Sequence, residues 1–433
     1  MIMLTMVLGL QAQGRIVLRV HQGEKIGAAL QEAKKAYEAN GDSCTILIEP
    51  GTYCEELTID VPNLTLKNAA ETPSIAMKNG GVDIDENAVR ITWYYGHGYQ
   101  YGSMGARFNY GGKRERRWNA STLVTAPGFT AENIIFENSF NMYVCDEEAK
   151  DTIVDISRAE DLCGLDMSAY WSEKERPKRE MPVRPKEVGS TEVQKRMYRE
   201  RASALSFTSD AKHCILRGCR VVGRQDALYG DHGAEIWVES CVLCGAVDYI
   251  FGGMTLVAYK CELVGMCGPE QGDKCYIAAG RGAPADNVEA LKQESLNRQG
   301  YRTDRWYREK ASLDSIPADE LVHHGMCFEE CVVRHATADE LENPGTEPIY
   351  LARPWRWWGE MRFECTLAEE GVLNEELFSL GLTKGHPAAF CEVYSHLHKP
   401  TFSRTFDVDM EPLCDLPESF KREFFLRWLG WDK

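Results

Sequence analysis

The chain reads as an all-β solenoid: a parallel β-helix with amphipathic capping helices at its ends and two long inserted loops. Three observations carry this reading. Two octapeptides, GRQDALYG (223–230) and GAVDYIFG (245–252), share one frame with Gly first, Asp fourth, an aromatic seventh and Gly last. Cys219, Cys241 and Cys261 recur at spacings of 22 and 20 residues, each followed by a short apolar run. Both termini carry helical patterns where a solenoid would otherwise leave open ends. A period near 20 residues with β-rich segments marks a solenoid. Leucine-rich repeats share the period, but their Leu ladder and Asn are absent, which leaves the parallel β-helix.

The elements follow in chain order. The start, MIMLTMVLGLQAQG, is apolar but has no Lys or Arg before Arg15, so it lacks the positive region of a secretory signal. Residues 26–37 place Ile26, Ala29, Leu30 and Ala33 on one helical face. CTILIEPGTY and LTIDVPNLTLKN read as short strands broken by turns. FENSF at Phe136 is an early member of the repeat, and ECVV at Glu330 and ECTL at Glu364 echo it later. The solenoid spans 15–400. Insertions at about 142–200, which holds EKERPKREMPVRPKE, and 281–322 are polar and read as loops thrown out near a binding face. Residues 401–433 form a tail whose helix gathers Phe420, Phe424, Phe425 and Trp428 on one face.

Composition bounds the function. With 44% hydrophobic residues the chain can bury a large core, and a net charge of −17 disfavours nucleic acid as a partner. No apolar run approaches a membrane span. Cys241 and Cys244 form one CxxC without a second or a suitably spaced His pair, so no metal is expected. The recurrent cysteines are expected to stack inward as reduced, small hydrophobes.

Stacking bears on the two aspartates. Neighbouring strands lie about 4.8 Å apart, so Asp226 and Asp248, at one phase of adjacent coils, become near neighbours. Two such carboxylates cannot both ionise cheaply, and the pair then offers an acid beside a nucleophile or base. Turn residues that bind local backbone amides would show the same repeat. Gln225, an amide donor beside the first Asp, and the matched aromatics Tyr229 and Phe251, two walls of a cleft, favour a site.

GRQDALYG, GAVDYIFGG and YLARPWRWW together resemble the pectin methylesterases, and GTYCEELTI, GFTAENIIFENSF, RASALSFTSD and CYIAAGRG extend the resemblance over most of 15–400. It implies a right-handed parallel β-helix and an aspartyl esterase acting on C6 methyl esters of galacturonan or its oligomers, as a monomer without cofactor. By matching position, Asp248 resembles the nucleophile, Asp226 the general acid/base and Gln225 the oxyanion donor. Arg353 resembles the guanidinium that holds the nucleophile, and Trp355 a sugar platform, although Trp355, Trp357 and Trp358 would also suit a core. No GxSxG occurs, so a serine-esterase elbow does not compete.

Three positions depart from the family pattern: Arg201 where many relatives have a Gln of the oxyanion hole, Ala352 where Gly is usual, and Ala227 where Thr is usual. Arg201 is expected to bind the oxyanion or a neighbouring carboxylate. A pectate lyase or polygalacturonase would want other carboxylate arrangements, and a non-catalytic polysaccharide-binding solenoid would have lost one of the four principal groups. Unpaired cysteines and the unsigned start point to the cytoplasm, with secretion as the alternative.

Overall fold

The computed structural model describes residues 14–96, 100–104, 120–155, 184–195, 201–268, 275–280, 325–353, 361–377, 379, 392–393 and 417–431. Three sheets of ten, eight and seven parallel strands run along it, and each complete coil gives one strand to each. One coil is Cys214–Arg217, Arg220–Val222 and Leu228–Gly230; the next is Glu235–Glu239, Val242–Gly245 and Ile250–Gly252. The register is in phase throughout: Val221 pairs with Leu243 and then Leu263, and Tyr229 with Phe251. Inward residues therefore stack on residues of their own kind, which makes the parallel β-helix expected from the repeat.

A corner explains part of the repeat. Between the ten- and eight-stranded sheets the chain turns on one left-handed residue per coil: Asn133, Gly218, Ser240, Lys260 and Glu330, with φ of 57°, 57°, 53°, 53° and 50°. In three successive cases the next residue is inward: Cys219, Cys241 and Cys261, and Cys331 continues the column, all at most 1% exposed. The backbone N–H of Cys219 donates to the Cys241 sulfur at 3.2 Å. Burial raises the thiols of Cys241 and Cys331 well above their ordinary range, so these are packing groups. No disulfide joins any of the thirteen described cysteines. The ECTL echo does not extend this column. Glu329 pairs with Glu364, so Cys365 occupies the left-handed corner position of Glu330, and Thr366 takes the inward place.

The first helix, α1 (Ile26–Asn40), buries the expected Ile26, Ala29, Leu30 and Ala33 on the first two strands, Arg15–Val20 and Ser43–Ile48. It stops at Gly41, whose φ of 72° supplies the left-handed cap. Short helix α2 (Asp146–Lys150) opens the first insertion. The tail helix α3 (Glu418–Leu429) forms where expected, but the surface it covers is a flank of the solenoid. Phe425 and Trp428 pack with Trp237, Val257, Tyr259 and Cys327 on the outer side of the ten-stranded sheet. Phe420, expected on the apolar face, is 59% exposed, because the first turn of the helix meets the coils through polar contacts of Glu418 and Lys421 and the apolar contact runs from Phe424 onward. Among the described residues no helix is long and apolar enough to cross a membrane.

The described parts of the 142–200 insertion are packed, not thrown clear. Val193 is buried, and the Gln194 side-chain amide donates to the carbonyls of Gly80 and Met142, both at 2.8 Å. Residues 281–322 lie outside the described residues. Both insertions interrupt the coil beside the seven-stranded sheet: the first precedes Leu205–Phe207 and the second follows Cys275–Gly280.

Outside the eight-stranded sheet a buried ion cluster fastens residues 336–341 to the coils. Arg220 Nη1 and Arg334 Nη1 each donate to Glu340 at 2.7 Å. Burial works to raise the Glu340 carboxyl, but the Arg334 hydrogen bonds and the Arg220 charge outweigh it and hold it down at about 2.

Candidate active site

The two octapeptides become adjacent rungs of the seven-stranded sheet. Leu228–Gly230 pairs with Ile250–Gly252, and Gln225 bridges in parallel to Val247, so Asp226 and Asp248 sit directly one above the other. Both adopt left-handed backbone, φ 56° and 50°, a region Asp tolerates better than most residues. Each turns its carboxylate out of the strand run while Ala227 and Tyr249, the next residues, go into the core.

The glycines that frame the motif answer to this stacking. At Gly252, φ is 128° and an added Cβ would lie 2.0 Å from the carbonyl oxygen of Gly230 in the coil before. At Gly245 it would lie 2.6 Å from that of Gly223. Coils pass too closely at both ends of the frame for any side chain.

Arg353 follows the strand Ile349–Ala352 and reaches back to the dyad. Its Nε and Nη2 donate to Asp248 Oδ1 and Oδ2, each at 2.7 Å, a bidentate fork. Burial opposes the guanidinium charge, yet the Asp248 carboxylate, in hydrogen bond and charge, keeps its pKa raised. The same guanidinium lies 4.1 Å from the centre of the Tyr276 ring, which stacks on Tyr350 at 5.2 Å.

Arg201 approaches the other carboxylate, with Nε 3.9 Å from Asp226 Oδ2 and its side chain 36% exposed. The coil that carries it lies immediately before: the Ala202 N–H donates to the Gln225 carbonyl at 3.2 Å. The expected contact of Arg201 with a carboxylate is therefore present at the outer limit of an ion pair. Gln225 is half-buried, with Oε1 buried and without a hydrogen-bond partner among the described residues. Tyr229 and Phe251 stand side by side, ring centres 5.3 Å apart, as one aromatic wall where two were expected. Trp355 lies outside the described residues.

Tyr276 is the member of this group that sequence reasoning missed. It stands two residues before Ala278, which pairs with Ile250, and so shares the phase of Asp248. The signal was in CYIAAG, but the longer excursion before Cys275 broke the spacing that revealed the aspartates.

Two acidic side chains at one phase, one clamped by a guanidinium and flanked by an amide and aromatic rings, define a carboxylate-dyad site on the face of a parallel β-helix. Comparison with known proteins agrees with that description. Residues 192–296 match the pectinesterase family model. The chain is 27% identical over 214 residues to a probable pectinesterase A of Aspergillus niger, 49% of this chain and 50% of that protein. It is 38% identical over 167 residues to a probable pectinesterase A of Aspergillus fumigatus, 39% and 37% of the two chains. Among solved structures, the pectin methylesterase PemA of Erwinia chrysanthemi aligns over 98% of both chains with 17% identity and a TM-score of 0.50. That from carrot covers 88% of this chain and 82% of its own with 15% identity, again at 0.50. By sequence the likeness is to the pectinesterase family, over residues 192–296 for the family model and over less than half of the chain for the curated relatives, and the solved structures share the fold. The chain spans half the length or less of these curated relatives, and the family match is narrower than the 15–400 over which the motifs were read.

Proposed function

We propose that the protein is a pectin methylesterase that hydrolyses C6 methyl esters of galacturonan to free carboxylate and methanol. The observation that carries this is the Arg353 fork on Asp248 with Asp226 stacked one coil before it. In this reading ionised Asp248 attacks the ester carbonyl, and the Gln225 side-chain amide donates to the oxyanion that develops. Protonated Asp226 gives its proton to the departing methoxide. The resulting carboxylate takes a proton from the water that opens the acyl-enzyme, which returns Asp248 to its ionised state. Arg353 keeps Asp248 aimed and cannot itself lose its proton. Tyr229 and Phe251 offer ring faces to the sugar. The chemistry calls on no cofactor, and a single chain holds every group it needs.

Methanol released from highly methylated pectin, and from methylated oligogalacturonides in parallel, tests the reading and reports polymer against oligomer preference. A rise in ultraviolet absorbance from unsaturated ends, or new reducing ends, without methanol would mean a lyase or a glycosidase instead. The similarity to fungal and plant pectinesterases favours secretion over the cytoplasmic placement, since their polymer lies outside cells. The free cysteines do not weigh against it, because the column is held by packing.

The two residues that border the dyad separate oxyanion binding from positioning. Gln225→Ala is expected to lose about 10²–10³-fold in kcat, as for one oxyanion donor. Arg201→Gln should keep much of the activity because it retains a donor, and Arg201→Ala should lose it. Equal activity of both Arg201 variants and the parent would make Arg201 a surface charge.

A further inference from the structure

Away from the dyad, Cys54, Cys145 and Glu147 meet, their sulfur and carboxylate atoms all within 4.8 Å of one another. Cys54 ends the strand Gly51–Cys54 of an early coil, whereas Cys145 and Glu147 belong to the start of the first insertion, at and just inside α2. The two sulfurs are 3.8 Å apart, with the Cys54 thiol donating to Cys145. They lie 91 residues apart in sequence, which is why no spacing of cysteines announced them.

This group differs from the packing column. Cys54 is half-buried, not sealed in the core, and borders an open cleft of about 220 Å3 that Gln22, Tyr53 and Glu55 also line. A carboxylate accompanies the thiols. A tetrahedral cation at ~2.3 Å from each of two thiolates holds the sulfurs about 3.8 Å apart, the separation already present, whereas a disulfide needs ~2.05 Å. Two soft sulfur donors and one carboxylate suit Zn2+ and disfavour the hard cations Mg2+ and Ca2+, which take oxygen ligands.

We propose that Cys54, Cys145 and Glu147 form a binding site for a thiophilic divalent cation of the Zn2+ class, with a water molecule as the fourth ligand. Binding takes the two thiol protons, which pass to solvent, and leaves two thiolates and one carboxylate on the metal. The ion ties α2, the root of the first insertion, to the coil beneath it, so its effect is on stability. The site uses none of the groups proposed for ester hydrolysis and stands or falls independently of that reading.

The test uses the full chain, stripped with a chelator and kept reduced with a phosphine, and Co2+ as the spectroscopic probe. One equivalent of Co2+ is expected to give thiolate-to-cobalt charge-transfer absorbance with tetrahedral visible bands, displaced by Zn2+, and Zn2+ should raise the melting temperature. Cys54→Ser and Cys145→Ser should each lose most of the charge-transfer band. Glu147→Gln keeps both thiols and leaves the column intact, and it should weaken Co2+ binding by about tenfold or more. The proposal is overturned if no such band forms, or if it survives in both serine variants. Unchanged affinity in Glu147→Gln overturns it too, as does a Cys54–Cys145 disulfide found by peptide mass mapping of the protein as isolated.

Discussion

Asp248→Asn should lose esterase activity on the order of 10⁴-fold or more, the scale of a lost nucleophile in enzymes whose catalytic groups act as a unit. An amide does not attack an ester carbonyl, and the substitution also strips Arg353 of its bidentate partner at 2.7 Å. The Arg353 side chain is 19% exposed and its guanidinium still lies over Tyr276, so water can take up part of the lost pairing. The variant is therefore expected to fold, with a modestly lower melting temperature and an unchanged circular dichroism spectrum. Asp226→Asn should be similarly inactive, because among the described residues no other carboxylate shares its phase beside Asp248. Methanol release measured on both folded variants decides the matter; substantial turnover by Asp248→Asn would remove the proposed mechanism.

Glu340→Gln should cost about 3–5 kcal/mol in stability, the usual cost of breaking a buried ion pair by removing one partner. Glu340 is 4% exposed and receives hydrogen bonds from Arg220 and Arg334, and the glutamine leaves two guanidinium groups facing a neutral amide. The pH dependence has a definite sign. The folded Glu340 carboxyl is held at about 2, below its ordinary 4.5, so its contribution is complete above about 4.5. It fades as pH falls towards 2. Urea midpoints of parent and variant should differ most near neutrality and converge between those two values. A gap that persists undiminished at pH 2 would place the effect in packing and not in charge.

How much could be read beforehand depended on whether a feature repeats. The octapeptides share an unbroken period, and in a solenoid equal phase means spatial adjacency, so Asp226 over Asp248 followed from spacing alone, whereas Tyr229 and Phe251, read as two walls of a cleft, stand side by side as one. The Cys219, Cys241 and Cys261 column followed for the same reason. Arg353 and Arg201 came from resemblance, since neither lies in a repeated frame. Where the period breaks, legibility fails. Tyr276 has the phase of Asp248, but the excursion before Cys275 hid it. ECTL resembled ECVV, but the corner turns one residue later in that motif, which moved Cys365 out of the column.

By itself the sequence determined the solenoid, its phase and the pairing of two carboxylates, because nearest-neighbour stacking is a local rule that a 20–22 residue period writes directly into the chain. It also determined α1, whose four apolar residues at helical spacing admit one buried face. The tertiary structure alone decided what else lies across the coils: the two-pronged geometry of the Arg353 contact, the Glu340 cluster, the flank under α3, and the meeting of Cys54 with Cys145 and Glu147. These contacts join segments tens to more than a hundred residues apart, and no periodicity records them. They form because three sheets fix the height and direction of every strand. The geometry of the solenoid, not the spacing of residues, then sets which side chains come within reach.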